Sequence, residues 1–454
     1  MNTNPAISKP GEWRRIYLPV RAKFGFAIII ATLWTALSVW LSWRWLHDLA
    51  TVATWAVALI AITFIAYVPG FMNAFLVATL LFDRRPPLRQ TISEFPSISI
   101  LVAAYNEAET IKDTLTSLAR QDYAGPYEVL ILNDGSVDQT AAVVREVLKT
   151  LYFPPNATFR QIDFEHNRGK SAVLKDGLNA ASHPFIMTVD SDCWVRSDGL
   201  TNIVSRMLSD PSNTVAVAGA VMARNSRANL LTRTQEWDYF HGIAAVKRMQ
   251  SMYHGTLVAQ GAFSLYTRKA LEEVGGWPTC VGEDIVVSWA LLERGYRIGY
   301  AANAFAFTNV PDKLGQFARQ RKRWSRGLME AFKAHWRLLF KPRMTTLFIW
   351  WNFCFPPIDF TYTVFFIPGL ILALLGYFWI AGPVTLAVFP LAVLWNTIVF
   401  RIQKDEFQQR QLKVRRNHRG FLIYAFFYSL LMQPICVWGY FAEIVGMRKR
   451  WGTK

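Results

Sequence analysis

Pro184-Phe185-Ile186-Met187-Thr188-Val189-Asp190-Ser191-Asp192 is the stretch that decides the fold. A short apolar run, opened by a proline and closed by a polar turn, reads as a buried strand. This one ends on two carboxylates. The same pattern occurs twice upstream, and a third strand is expected with it. Pro96-Ser97-Ile98-Ser99-Ile100-Leu101-Val102-Ala103-Ala104 stops at Tyr105-Asn106-Glu107, Tyr127 to Leu132 stops at Asn133-Asp134-Gly135-Ser136, and a further strand is expected from Phe159 to Phe164. Helical patterns separate them, with apolar Ile111, Leu115 and Leu118 after the first strand and a stretch around Ala172–Ala181 before the fourth. Alternating strand and helix imply a mostly parallel α/β sheet with right-handed crossovers. Ligands of such sheets bind beyond the carboxyl ends of the strands. Glu107, Asp134, Asp190 and Asp192 all fall at those ends, whereas acids without a role would scatter over helix faces. No Gly-x-Gly-x-x-Gly follows the first strand and no Walker sequence is present. A nucleotide here is expected to be held by carboxylates, a metal and cationic side chains.

Working outward, the chain of 454 residues is long enough for one soluble domain and a second part of different character. Residues 24–43 carry no charge and 52–82 form another apolar run. Each reaches the roughly 20 helical residues that cross a bilayer. No small-residue cleavage site follows the first, so it does not read as a cleaved signal peptide. Apolar runs return at 345–381, 383–400 and 420–446. The expected organisation is a cytoplasmic segment 1–22, two transmembrane helices in 23–82, an α/β domain over 95–310, amphipathic interface helices in 311–344, and about three transmembrane elements in 345–447.

The net charge of +17 follows this layout. Arg14, Arg15, Arg21 and Lys23 precede the first run, and Arg84 and Arg85 follow the second. Cationic flanks mark the cytoplasmic side, so the α/β domain should lie in the cytoplasm and the chain in the plasma membrane. The segment 401–419, with Arg401, Lys404, Arg410, Lys413, Arg415, Arg416 and Arg419, is expected on that side too. One further crossing would place Arg448, Lys449 and Arg450 outside, against the rule. Either an apolar run is re-entrant or the last charges are an exception. Nucleic acid is not the expected partner, because the cations hug membrane boundaries instead of forming one stripe. Cys193, Cys280, Cys354 and Cys436 have neither paired nor zinc-type spacing and read as ordinary thiols.

Asp190-Ser191-Asp192 suits a hard divalent cation completed by substrate phosphates, which would neutralise charge growing on a diphosphate leaving group. As an isolated tripeptide it would read as a solvated turn; its place at a buried strand end, beside Asp134, favours the metal. Lys170, in Asn167-Arg168-Gly169-Lys170, opens a helix and could meet phosphate by charge and through the positive helix end. Against that stands an ordinary exposed lysine. Gly282-Glu283-Asp284 precedes an apolar helix, where a carboxylate either caps the helix or acts as general base. One base without a separate nucleophile implies single displacement with inversion. Gln320-Arg321-Lys322-Arg323-Trp324 lies in a cationic stretch with Arg319 and Arg326. Arg323 and Arg326, three apart, would share a helix face. Such a helix suits anionic lipid, and its polar face can still look into a site. Trp324 offers a plane for a sugar ring, and Gln320 and Arg323 offer donors. Trp350, Trp351, Tyr362 and Trp395 are candidates to line a sugar channel. Asp359, the only acid in 345–381, is expected to face that channel or a cationic partner.

These motifs, from the first apolar hairpin to the last span, resemble the processive family 2 membrane glycosyltransferases: cellulose, chitin, hyaluronan and poly-N-acetylglucosamine synthases. Length, layout and the blocks Asn133–Ser136, Asn167–Lys170 and Gly282–Ile285 look most like the bacterial poly-N-acetylglucosamine type. The resemblance implies a GT-A (Rossmann-like) domain and a UDP-sugar donor with Mg²⁺ or Mn²⁺. It further implies transfer to a growing polysaccharide, with export across the lipid bilayer and a possible small helper subunit. Carried over by motif, Tyr105, Glu107 and Asp134 would hold the nucleoside with Lys170 and Asp190 nearby. Asp192 would bind the metal, Asp284 would be the base, and Gln320, Arg323 and Trp324 would place the acceptor. Two departures stand out: Ala103 where proline is frequent, and Gly282 where threonine is usual. The competing expectations are transfer of one sugar to a polyprenyl phosphate, whose enzymes generally lack the Gln-x-x-Arg-Trp block, and a non-catalytic membrane scaffold, which would usually have lost a metal or base carboxylate.

Overall fold

A computed structural model of the chain describes residues 18–83, 92, 94–409 and 411–449. Arg14, Arg15, Arg84, Arg85, Arg410 and Arg450 of the charge pattern lie outside the described residues. The centre is an eight-stranded sheet formed by β1 (Ile98–Ala104), β2 (Tyr127–Asn133), β3 (Ala157–Asp163), β4 (Phe185–Val189), β5 (Trp194–Val195), β6 (Thr214–Ala223), β7 (Phe263–Thr267) and β8 (Arg297–Thr308). Their spatial order is β3-β2-β1-β4-β7-β6-β8-β5. The first four run parallel. β7 is antiparallel to both β4 and β6. β1 and β2 are covered on both faces, which explains their nearly continuous apolar sequence. β3 lies at the edge with alternating burial and begins two residues before the sequence suggests.

Register positions the site. Leu101 pairs with both Leu130 and Thr188. Continued past the strand ends, these pairings put Tyr105, Asp134 and Asp192 at one level across the sheet. Asn106 takes a positive φ of 54°, tolerable for asparagine, and its side-chain oxygen accepts the Val137 amide at 3.0 Å. Its own amide donates to Ser136 Oγ at 3.0 Å. The turns after β1 and β2 are thereby tied together.

Three helices, Val20–Leu41, Trp55–Leu81 and Met344–Leu374, are long and apolar enough to cross a membrane, or up to four if the bent pair His418–Phe426 and Tyr428–Ile444 counts as one span. Two of them contain a π turn, Thr63–Tyr67 and Tyr362–Phe366. Each lies just before a proline, Pro69 or Pro368, which lacks the N–H and crowds the preceding turn. The near ends of these helices converge on the α/β domain: the Tyr253 ring meets Phe24 at 5.0 Å, Phe75 at 5.7 Å and Phe348 at 6.1 Å. Arg248 adds an ion pair to Asp83 and a hydrogen bond to Gln403. At the far ends Trp45 Nε1 donates to the Trp379 carbonyl at 3.0 Å.

The bent pair turns by 51° at its break. Its entry is tied to the α/β domain by Trp237 Nε1 donating to the Asn417 carbonyl and by Asn417 Nδ2 donating to Arg233. Its exit is tied to the cationic helix Leu314–His335, where Arg326 donates to the Met447 carbonyl at 2.7 Å and Lys449 pairs with Glu330. Both ends are thus anchored by side-chain contacts, the first to the α/β domain and the second to the cationic helix that packs on it.

Asp359 is buried and accepts the Tyr440 hydroxyl at 2.8 Å. Its partner is a phenol from a neighbouring helix, in place of the cation or channel expected. The aromatic candidates also pack within the bundle: Trp395 on Trp34, Trp351 on Phe75 and Tyr362 on Phe366. Trp350 donates to the Leu339 carbonyl.

Candidate active site

Asp134 is buried at the end of β2, and its two oxygens accept the backbone amides of Arg168 at 2.7 Å and Gly169 at 2.8 Å. It thus fixes the loop that delivers Lys170. Gly169 has φ of +87°, a conformation that favours glycine, and it ends directly at the helix Lys170–Ala180. Lys170 pairs with Asp190 Oδ1 and lies 3.6 Å from Glu283 Oε1. Burial alone would lower the Lys170 pKa, but Asp190 and Glu283 overcome it and raise it. Tyr105 is exposed at the front of this cluster. Glu107 accepts the Thr110 hydroxyl at 2.7 Å, and its amide donates to Thr140.

Asp190, Asp192 and Cys193 bring one potential ligand atom each to within 4.8 Å of one another. Burial, then repulsion from Asp190 and Glu107, raises the Asp192 pKa, against the pull of Lys170. Carboxylates gathered this closely with one nearby ammonium fit a divalent cation. The two aspartates supply the hard oxygens it prefers, while the thiol, a softer group, is the poorer ligand for Mg²⁺ or Mn²⁺.

The Gly282-Glu283-Asp284 turn starts the helix Glu283–Glu293. Glu283 is buried, and desolvation pushes its pKa up to about 7 although Lys170 and Arg323 pull it down. Asp284 is half-buried, with Oδ1 accepting the Ile285 amide at 2.8 Å. Lys247 is buried nearby and donates to the Val258 carbonyl at 2.7 Å. Desolvation takes it down to about 7, with the Asp284 charge acting the other way.

The cationic helix Leu314–His335 forms the remaining wall. Trp324 is partly exposed, with the Arg321 guanidinium 4.2 Å from its ring centroid. Arg321 is buried and held by Asp238 at 2.7 Å; Asp238 also accepts the Tyr428 hydroxyl at 3.0 Å. Gln320 is buried, and its Oε1 has no hydrogen-bond partner among the described residues. Arg323 acts electrostatically on Glu283. Arg326, expected beside Arg323, instead turns to Glu443 at 3.1 Å. It belongs to the packing of the last helix.

Gly282 has a specific reason to be glycine. A Cβ there would lie 2.4 Å from the Gly327 Cα, and one on Gly327 would lie 2.8 Å from the Gly282 Cα. The turn and the cationic helix meet backbone to backbone. Restoring the usual threonine, Gly282→Thr, is expected to cost about 1–3 kcal/mol of stability by overpacking, read as a lower midpoint of thermal unfolding in detergent.

Lys170, Asp190, Asp192 and Glu283 are thus brought together by side-chain contacts, with Tyr105, Glu107 and Asp134 on the adjoining turns and Asp284 and Arg323 linked through Glu283. Sequence reasoning missed Glu283, Lys247, Asp238 and Arg321. Glu283 could have been noted as the neighbour of Asp284. Arg321 lies inside the Gln320–Trp324 block and could have been noted with it, whereas Lys247 and Asp238 show no periodic or spacing signal. A sheet with this order and an acidic cluster beyond its parallel strand ends defines a GT-A glycosyltransferase.

Comparison with known proteins agrees. The model of glycosyl transferase family 2 matches residues 99–275. The chain is 32% identical over 286 residues to a poly-beta-1,6-N-acetyl-D-glucosamine synthase of Staphylococcus epidermidis, covering 63% of this chain and 67% of that protein. It is 33% identical over 274 residues to a protein of the same name from Staphylococcus aureus strain COL, covering 58% and 64%. The chain therefore spans about two thirds of the length of these relatives. A mannosyltransferase from Pyrobaculum calidifontis, solved with GDP-Man and Mn²⁺, superposes with a TM-score of 0.57 at 19% identity, over 86% of this chain and 100% of that one; this likeness concerns the fold. The protein belongs to glycosyl transferase family 2, and its activity is sugar transfer.

Proposed function

We propose that this protein is a processive, inverting polysaccharide synthase. It would transfer N-acetylglucosamine from UDP-N-acetylglucosamine to a growing β-linked chain and pass that chain across the membrane. The observation that carries the reading is the junction of two sites: an acidic, metal-suited cluster at the strand ends, and the cationic Gln320–Trp324 helix packed onto the Gly282–Asp284 turn. Similarity to the two staphylococcal synthases supports the choice of sugar. A Gln320 oxygen left without a donor in a buried setting suits the hydroxyl of an acceptor sugar.

In this reading Tyr105 lies against the nucleoside, and the loop fixed by Asp134 presents Lys170 to the diphosphate. Asp190 and Asp192 would hold Mg²⁺ or Mn²⁺, which supplies charge neutralisation to the departing diphosphate. Asp284 takes the proton from the acceptor hydroxyl as that oxygen attacks the anomeric carbon opposite the leaving group. Trp324, backed by Arg321, forms the floor for the acceptor ring. In this reading the α/β domain lies on the cytoplasmic side, the side that the cations at 401–419 favour.

The test is radiolabel incorporation in membranes from UDP-N-acetylglucosamine, UDP-glucose and UDP-glucuronate. High-molecular-weight product from the first donor alone is expected. A single labelled lipid would instead establish transfer to a polyprenyl phosphate.

A further inference from the structure

The helix Glu283–Glu293 begins at Gly282, which has no side chain to cap it. Amides at a helix start need acceptors. Here the acceptor comes from another element. Glu330, on the cationic helix, takes the amide of Val281 at 2.9 Å and that of Gly282 at 2.8 Å on the same oxygen, Oε2. Its other oxygen pairs with Lys449, and the side chain is buried. Charge-assisted bonds of this kind are short and directional. Glu330 lies one turn beyond Gly327, whose backbone touches Gly282. The two contacts fix both the distance and the orientation of the turn that carries Glu283 and Asp284.

We infer that Glu330 is a positioning residue, an external cap that holds the Gly282–Asp284 turn against the helix bearing Gln320, Arg323 and Trp324. The inference rests on the proposed roles of Asp284 and of that helix. Reaction needs the base and the acceptor platform in one geometry, and they belong to different segments. Glu330 hydrogen-bonds from the platform helix to the backbone of the turn. Its loss should leave donor binding intact, because the groups assigned to the donor stand on the ends of β1, β2 and β4 and on the loop fixed by Asp134.

The experiment compares Glu330→Ala, Glu330→Asp and Glu330→Gln in the full-length protein, measuring kcat, donor KM and UDP affinity. Aspartate keeps the charge but withdraws the oxygen by one methylene. Glutamine keeps the reach and one acceptor oxygen without the charge. The Ala and Asp variants are expected to lose about 10²-fold in kcat, the scale of a small misplacement of reacting groups, with unchanged donor KM and UDP affinity. Glutamine should recover most of the turnover. Wild-type kcat in the Ala and Asp variants overturns the inference. So does a parallel loss of UDP affinity in all three, which would mark a general structural role. Absence of polymer from the wild-type protein, or full activity of Asp284→Asn, would overturn the functional reading itself, and is distinct from either result.

Discussion

Asp284→Asn is expected to reduce polymer formation by about 10²–10⁴-fold, the span that a positioned general base contributes. The amide keeps the shape and the bond that Oδ1 accepts from the Ile285 amide. It cannot take a proton from the attacking hydroxyl. Because the donor-side cluster of Lys170, Asp190 and Asp192 is untouched, UDP should bind the variant as it binds the wild type. Titration calorimetry with UDP, run beside incorporation assays, separates the two effects. Retained turnover would remove Asp284 from the base role and direct attention to Glu283, whose pKa is pushed up to about 7 by burial.

Removing the metal is expected to have an effect of similar size, and Asp192 links it to stability. Chelation should abolish incorporation, with recovery on adding Mg²⁺ or Mn²⁺. Asp192→Asn should lose at least about 10²-fold in kcat, as when one fixed group facing transition-state charge is removed. The same substitution should make the metal-free protein more stable at pH 8. The Asp192 carboxyl has a raised pKa in the folded state, caused by burial and then by Asp190 and Glu107. A group of this sign contributes stability below its unfolded pKa and loses it as pH rises through the folded value. Asparagine does not titrate, so the advantage of the variant should shrink toward pH 4. Thermal unfolding with and without metal reads this directly, since a cation bound only by the folded protein raises the wild-type midpoint. Equal stability of the two proteins at pH 8 would mean that the acidic cluster is already neutralised without a cation.

The parallel half of the sheet was readable in the sequence because β1, β2 and β4 are short apolar runs that each stop at a polar turn. The mixed half, β5 to β8, in which β6 and β8 run parallel and the other pairings are antiparallel, was not separately identified. β6 reads Thr214-Val215-Ala216-Val217-Ala218-Gly219-Ala220-Val221-Met222-Ala223, an alanine-rich run without alternation, and β5 has only two residues. The strand-end carboxylates were visible for the same reason as the strands. Contacts between distant segments were not. Nothing in the neighbourhood of Asp238 indicates Arg321, and nothing near Val281 indicates Glu330, since tertiary packing brings them together across 83 and 49 residues. The 51° bend between His418–Phe426 and Tyr428–Ile444 was equally hidden, because composition marks one apolar run and not the break within it.

The backbone contact between Gly282 and Gly327 also sets the unit in which this enzyme can be recombined with its relatives. A chimera that takes the catalytic turn from a protein with threonine at that place, and keeps the helix of this one, would put a Cβ 2.4 Å from the Gly327 Cα. Residues 281–330 should therefore be exchanged as one block, with no seam inside β8 and the downstream cut placed beyond His335.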